Sequence, residues 1–454
     1  MRARGAGLVM DSGGVPRVFG ATVLVSLLAL ASNLTLFWRE ILSASTFGVG
    51  PMLDAFILAS LLPVFVASLL SGALAPALAP VLTKLRRVHG AEAGRQLLTA
   101  VHLRTVLGSG CLAVAMWLLA EPLLALLGRG LDAPLRREAL ELYRLLVPLL
   151  MLQTSSAVWR AVLNLERKVV LTGLLPALGP LLTVGLLLAS GHDSGIGVLA
   201  QGLLVGALLE WLVLAIAAHD SHGWSLSALR GAPPAGMFGA YATLLCASAL
   251  TTSAWFIDTA MASSLAAGSV AALGLGAKVV SFGVGIVSIG ITTAILPLGA
   301  ELVARHEWVA LRRLLYRYGG LLVLASLPVT AAVFAWSPAI TALLYERGRF
   351  DPAATQLVGT VQAALVLQVP FHVLGVLCVR LLSALQLNRH VMLIAGIGVV
   401  LNVVLNLALM PRWGVVGIAI STSAMFALTS ILAARVLVAK LDSRIKDETG
   451  RSSA

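Results

Sequence analysis

WREILSASTFGVGPMLDAFILASLLPVFVASLLSGALAPALAPVL, residues 38–82, is the stretch on which the fold class turns. It closes one apolar run, turns through Phe47-Gly48-Val49-Gly50-Pro51, and enters a second run over 52–82. Arg39, Glu40 and Asp54 sit around that turn, and Pro63, Gly72, Pro76 and Pro80 interrupt the run behind it. A lipid-facing anchor needs only about 20 unbroken apolar residues. A longer span, bent and edged with charge, reads as a helix lining a polar cavity.

The rest of the chain agrees in kind. Of its 454 residues 59% are hydrophobic and 11% charged, with a mean hydropathy of +0.96. Soluble domains carry about 25% charged residues, so the composition is that of an integral membrane protein. Apolar runs of 20 residues and more exclude the short alternating strands of a β-barrel. The net charge of +12 does not call for nucleic acid, because Lys and Arg concentrate in short loops, where they set topology. Cys111, Cys246 and Cys378 each lie inside an apolar run and read as reduced packing residues, not disulfides or metal ligands.

Twelve spans are expected, at 18–38, 52–82, 97–120, 138–163, 169–190, 195–217, 237–262, 270–299, 314–337, 355–385, 391–410 and 415–438. The first is read as a retained helix: Ala29-Leu30-Ala31 mimics a signal-peptidase site, but the apolar run continues past it to Trp38. Leu123–Leu127 and residues 340–344 are too brief to cross and read as interfacial pieces. Segments on the N-terminal side of the membrane hold eighteen Lys and Arg against seven opposite, which predicts cytoplasmic termini.

The two halves repeat. Ala93-Gly94-Arg95-Gln96-Leu97-Leu98 matches Ala310-Leu311-Arg312-Arg313-Leu314-Leu315 at an offset of 217. Pro122 and Asp132 match Pro338 and Asp351, and Leu163–Val169 matches Leu385–Val391 at an offset of 222. An even number of spans per unit gives repeats of the same orientation. The expected architecture is therefore all-α and polytopic, with two parallel six-helix lobes, 1–231 and 232–454, joined by a loop that holds Pro233-Pro234.

Charge at the bilayer centre costs at least ~2.5–3.5 kcal/mol on insertion scales, so charged residues within spans usually face a cavity. Arg104, Arg160, Arg317 and Arg380 lie close enough to a span end to snorkel. Lys278 does not: eight residues into its span, it sits ~12 Å deep at 1.5 Å per residue, and reads as a cavity cation or as half of a buried ion pair. Arg39, at the outer end of the first span, reads either as a partner of Asp54 or as a substrate ligand, and it lies nearer water than Lys278. Asp54 and Asp258 fall near outer span ends, where a solvated carboxylate is an equal reading. Glu210 near an inner end reads as solvated or paired. Asn402 and Asn406 read as interhelical hydrogen-bond partners. No Walker loop, zinc-binding HExxH pair or Asp-rich loop is present. No cofactor is expected, and the chain reads as a transporter and not an enzyme.

Several stretches together resemble the MurJ/MviN lipid II flippases of the MOP superfamily. They are Ser45-Thr46-Phe47-Gly48-Val49-Gly50-Pro51 running into Asp54-Ala55-Phe56, Leu344-Tyr345-Glu346-Arg347-Gly348-Arg349-Phe350, Gly268-Ser269-Val270 leading to Lys278 and Pro297, and Pro411-Arg412-Trp413-Gly414 to Gly417-Ile418-Ala419. The resemblance implies two six-helix lobes around a central cavity that opens alternately to each side of the bacterial inner membrane. It implies outward movement of an undecaprenyl-pyrophosphate-linked saccharide, with envelope-biosynthesis enzymes as candidate partners. Lys278, Arg39 and Asp54 then become the cavity charges, with Lys278 where the family has Arg, and Asp258 and Glu210 become candidates for ion coupling. The sequence departs from the family between Pro63 and Gly72, which holds neither the family's Arg pair nor its Glu, and in lacking two further C-terminal helices. A related envelope glycan or exopolysaccharide precursor is therefore an open substrate reading. A drug/cation antiporter of the same superfamily is a rival, though it would want an acidic cavity and here Lys278 and Arg39 outweigh Asp54. A non-transporting scaffold for envelope assembly is a second rival.

Overall fold

The computed structural model describes residues 14–190, 195–219, 237–291 and 295–452. The first lobe runs α1 (Gly14–Phe47), α2 (Pro51–Leu118), α3 (Ala120–Leu127), α4 (Ala133–Leu146), α5 (Leu149–Leu165), α6 (Val169–Leu174), α7 (Leu178–Ser190) and α8 (Gly197–Ala217). The second runs α9 (Met237–Ala262), α10 (Ser269–Gly290), α11 (Leu296–Ala304), α12 (Trp308–Tyr345), α13 (Pro352–Val366), α14 (Val369–Ala384) and α15 (Asn388–Ser452). The junction expected at 231/232 lies outside the described residues.

Two of these helices are hairpins. At 1.5 Å per residue the 68 residues of α2 would extend ~100 Å, about three times the hydrocarbon thickness. The chain instead leaves helical geometry at Gly90 (φ 85°, ψ 178°) and folds back, so that Leu78 and Leu82 share one core with Leu97, Leu98 and Val101. The 65 residues of α15 break likewise at Gly414 (φ 55°), and Ser421 Oγ donates to the Asn402 carbonyl at 3.2 Å across the fold. With each hairpin counted as two crossings and α4–α5, α6–α7 and α13–α14 as one bent crossing each, the described residues form twelve spans. This is the all-α, two-lobe architecture expected from the sequence.

The repeat is visible in the caps, with one change of register. Asp132 and Asp351 each start the fourth span of their lobe, accepting from Leu135 N (3.1 Å) and Ala354 N (2.7 Å). At the ends of these spans Arg167 (φ 62°) and Gln386 (φ 60°) take the left-handed conformation, and Lys168 N and Leu387 N reach back to the carbonyls of Leu163 and Leu382, both at 2.9 Å. Gln386 thus stands for Arg167, 219 positions on, whereas the residue match in sequence aligns Arg167 with Arg389. Turn geometry, not side-chain identity, carries the repeat here. Residues 340–344 also differ from expectation: they continue α12 through Pro338 and do not form a separate piece. Gly359 of α13 makes room for this, since a Cβ there would lie 2.8 Å from Pro338 Cα.

The lobes meet at one face of the bundle, bearing the loops 48–50, 128–132, 264–268 and 346–351. There Arg349 N donates to Ser45 O at 2.8 Å, and Ser263 Oγ donates to Leu127 O. Ala44, Leu53 and Phe56 of the first lobe share a core with Ala271, Leu275, Tyr345 and Phe350 of the second. Two glycines permit this approach: a Cβ on Gly48 (φ 69°) would lie 2.7 Å from Arg349 O, and one on Gly130 would lie 2.1 Å from Ser263 O. At the opposite face the cores around Trp308 and Leu377 and around Trp159 and Leu214 each belong to a single lobe. Lobe-to-lobe packing also continues away from the first face along α2 and α9, where Met237 and Tyr241 pack on the core around Leu74 and Leu98. Gly130→Val is expected to force this face apart. Labelling of Thr46→Cys, a position only 6% exposed, by an impermeant maleimide should rise severalfold in a cysteine-free Gly130→Val background. Unchanged labelling would mean that the contact at Gly130 does not hold the face shut.

Candidate substrate-binding site

α1 carries its charges two turns before its end. Glu40 lies seven residues before Phe47, ~10 Å below the first face, and Lys278 lies nine residues after Ser269, ~13 Å below it. The equal depth lets the side chains meet across the seam between lobes. Lys278 Nζ stands 3.2 Å from Glu40 Oε1, and Arg39 Nη2 bonds the same oxygen. Phe37 packs against Phe282 and Tyr345 at 6.0 and 6.5 Å between ring centroids, which pins this part of α1 to α10 and α12. Arg39 and Glu40 are only 14% and 16% exposed, whereas Lys278 remains 39% exposed. The cluster holds two cations and one carboxylate. Its remaining positive charge is presented mainly by Lys278.

Four sequence expectations change in detail. Arg39 pairs with Glu40 and not with Asp54, because Asp54 is engaged elsewhere: its carboxylate accepts from Gly268 N (2.6 Å) and Ala271 N (2.7 Å), capping α10 from the other lobe. Arg39 is also less open to solvent than Lys278, not more. Asp258 is not solvated at a helix end. It is 2% exposed and accepts from Asn402 (3.0 Å), Asn406 (2.6 Å) and Thr422 (2.7 Å), all on α15. Glu210 pairs with Arg160 at 3.2 Å, which takes Arg160 out of the snorkelling group. The structure therefore brings Arg39 and Lys278 together, adds Glu40, and leaves Asp54, Asp258 and Glu210 at three other places. Glu40 was legible only as a charge at the turn; its role depends on a helix 238 residues away in sequence.

The profile of the family described as "Lipid II flippase MurJ" matches residues 43–449. The chain belongs to that family. It is 28% identical over 415 residues to the probable lipid II flippase MurJ of Rhizobium meliloti (strain 1021), covering 86% of this chain and 75% of that protein. It is 27% identical over 425 residues to the probable lipid II flippase MurJ of Synechocystis sp., covering 88% and 77%. Among solved structures its fold is similar to a lipid II flippase MurJ in an inward closed conformation, with a TM-score of 0.81, 19% identity, and 91% and 87% of the two chains covered. An inward-facing multidrug resistance MATE family transporter of the MOP superfamily shares the fold at a TM-score of 0.76 and 14% identity, with 93% and 99% covered.

Against the MurJ pattern, the stretch 63–72 without its Arg pair and Glu is packing surface. Phe65 packs against Phe256 with ring centroids 4.5 Å apart, Leu70 O accepts from Tyr241 Oη at 3.2 Å, and Gly72 lies against Ser248. The two cations of the seam cluster are Arg39 and Lys278. Glu40 keeps those two cations together. Glu40→Gln should lower thermal stability by leaving like charges in close proximity, and adding Lys278→Met should restore part of the loss. A double-mutant cycle is expected to give a coupling of about 0.5–3 kcal/mol; additive effects would show that the contact carries no energy.

Proposed function

We propose that this chain translocates lipid II, a polyprenyl-diphosphate-linked saccharide, across the bacterial cytoplasmic membrane by alternating access. The observation that carries the reading is the Arg39–Glu40–Lys278 cluster at the lobe seam. A diphosphate has about two negative charges and must pass through a medium where unpaired charge is costly. A cluster with one surplus positive charge, half-open at Lys278, lowers that cost by direct pairing. Lysine offers a point charge without the bidentate fork of arginine, which favours release as well as capture. Both termini are cytoplasmic in this reading. The packed face is then external, and substrate loads from the opposite side. The fold is also that of multidrug transporters, but a net-positive seam repels the cations such an antiporter would move.

The drive is assigned to an ion and not to a nucleotide. Asp258 with Asn402, Asn406 and Thr422 offers a carboxylate, amide oxygens and a hydroxyl, a donor set suited to a hard cation. Asn406 Oδ1 is buried with no hydrogen-bond partner among the described residues. Glu210, neutralised by Arg160, has a packing role in this account. Collapsing the membrane potential and the sodium and proton gradients one at a time identifies the coupling ion; flipping indifferent to all three would remove Asp258 from the mechanism.

Flipping of a fluorescent lipid II in proteoliposomes tests the main reading. Lys278→Ala should insert normally yet lose about tenfold or more of the rate, as expected of one charge-assisted contact of about 1.5–3 kcal/mol. Lys278→Arg should retain much of it, Arg39→Ala should also be impaired, and Arg380→Ala, exposed away from the seam, should be unaffected. Wild-type rates in Lys278→Ala would make the lysine structural. A wild-type protein that flips no lipid II but exports cationic dyes would favour the antiporter, and one that does neither would favour the scaffold.

A further inference from the structure

The last third of α12 turns one narrow polar face inward. Ser337, Thr341 and Tyr345 follow at intervals of four, which places them one above the other on a single side of the helix. All three are fully buried, and Gln362 of α13, also fully buried, donates through Nε2 to Ser337 Oγ at 2.9 Å. Three atoms of this strip, Thr341 Oγ1, Tyr345 Oη and Gln362 Oε1, are buried with no hydrogen-bond partner among the described residues.

Local structure does not account for them. Thr83, Thr252 and Thr360 each turn the hydroxyl back onto the carbonyl four residues earlier, at 2.7–2.8 Å. Thr341 makes no such bond, although the Ser337 carbonyl stands in the same position. Side chains of a helix lean toward its N-terminus, which brings the Tyr345 hydroxyl back over the level of Thr341. Nor is the strip remote from the seam. Thr341 and Ser337 lie ~6 and ~12 Å along α12 from Tyr345 at its end, and so share the depth of Glu40 and Lys278. The Tyr345 ring packs on Phe37, one turn before Glu40 on α1, and Glu40 is close enough to act on the hydroxyl electrostatically. On the other side Gly276, two residues before Lys278, lies against Gln362: a Cβ there would lie 3.2 Å from Gln362 N.

We propose that the strip is an enclosed water-binding site, shared between α12 and α13 and adjoining the seam cluster at Tyr345. The chemistry of the four side chains selects water. Two hydroxyls without acceptors and one amide oxygen without a donor need a ligand that both accepts and donates. A metal ion would satisfy only oxygen lone pairs, and would bring a charge to side chains that are all neutral. At roughly three hydrogen bonds per buried water, the four groups suit about one or two molecules.

The consequence concerns Glu40 and rests on the proposed function. When the substrate's diphosphate takes Lys278, Glu40 loses one of its two cations while still held away from bulk water. Water at Tyr345 gives the carboxylate another donor, so that the exchange leaves no orphaned charge.

Radiolytic hydroxyl labelling of the full-length protein in nanodiscs tests the site, because radicals formed from a bound water mark the side chains around it. Tyr345 should be labelled despite its burial, and Thr341→Val should lower that labelling severalfold. Melting temperature supplies an independent sign. Replacing an unpartnered buried hydroxyl by a group of the same shape stabilises a dry interior, whereas losing a bond to held water destabilises it. Thr341→Val and Tyr345→Phe should therefore each lower the melting temperature by a few degrees. Unlabelled Tyr345, or a melting temperature unchanged or raised in both variants, would overturn the site. Stabilisation by sodium chloride over choline chloride that disappears in Thr341→Val would overturn it in favour of a cation. None of these readings needs substrate, so they stand apart from the lipid II reading. The link to Glu40 is read from binding of a short-chain polyprenyl diphosphate. Tyr345→Phe should weaken it severalfold in the otherwise native chain and leave it unchanged in a Lys278→Met background. Equal binding by wild type and Tyr345→Phe would remove the link. No binding by wild type would overturn the substrate reading and the link with it, and leave the water site in place.

Discussion

A charge held away from water must be answered by another charge or by a dense set of hydrogen bonds. In this protein the requirement is met in a way that ties the lobes together. Glu40 on the first helix is bonded by its neighbour Arg39 and by Lys278 of the second lobe. Asp54, on the next helix, is answered by backbone N–H groups at the start of α10. Neither carboxylate finds its full set of partners inside its own lobe. The closed face is therefore an electrostatic arrangement as much as an apolar one, and its cost when opened is the exposure of these groups to something else that can satisfy them.

α1 and α10 each carry one side of a latch bond and one side of the cluster. α1 runs from Arg39 and Glu40 to Ser45, whose carbonyl accepts from Arg349, and α10 runs from the Asp54 cap to Lys278. A tilt of α10 away from α1 and α2 together would break the Asp54 cap and part Lys278 from Glu40 in one motion. An anionic ligand at Lys278 would compete with Glu40 for the ammonium and so weaken one of the bonds that hold the face shut. In the proposed function, binding and opening would be linked through Lys278.

Much of this was legible in the sequence. Apolar length and the 217-residue repeat gave the span count and the parallel lobes, because the bilayer restricts backbone to helices of known length. Lys278 stood out by depth alone. The pairing of Arg39 was not legible: Glu40 and Asp54 are both within reach along the chain, and the choice is made by the distant start of α10, which claims Asp54. Asp258 and Glu210 looked like charges at helix ends, yet their surroundings come from α15 and α5, which no local pattern specifies. Letter matching gave 222 for the register at the end of the fourth spans because Arg167 and Arg389 share a letter. The turn itself depends on a left-handed residue, for which Arg167 and Gln386 are interchangeable.

In the proposed function the surplus positive charge of the seam recognises a diphosphate. Binding of a soluble short-chain polyprenyl diphosphate, compared with the corresponding uncharged alcohol, measures this without requiring transport. The diphosphate should bind wild-type protein with an affinity that falls about tenfold or more in Lys278→Met, consistent with one lost charge-assisted contact, while the alcohol binds both proteins equally weakly. Equal diphosphate affinity in wild type and Lys278→Met would contradict the account.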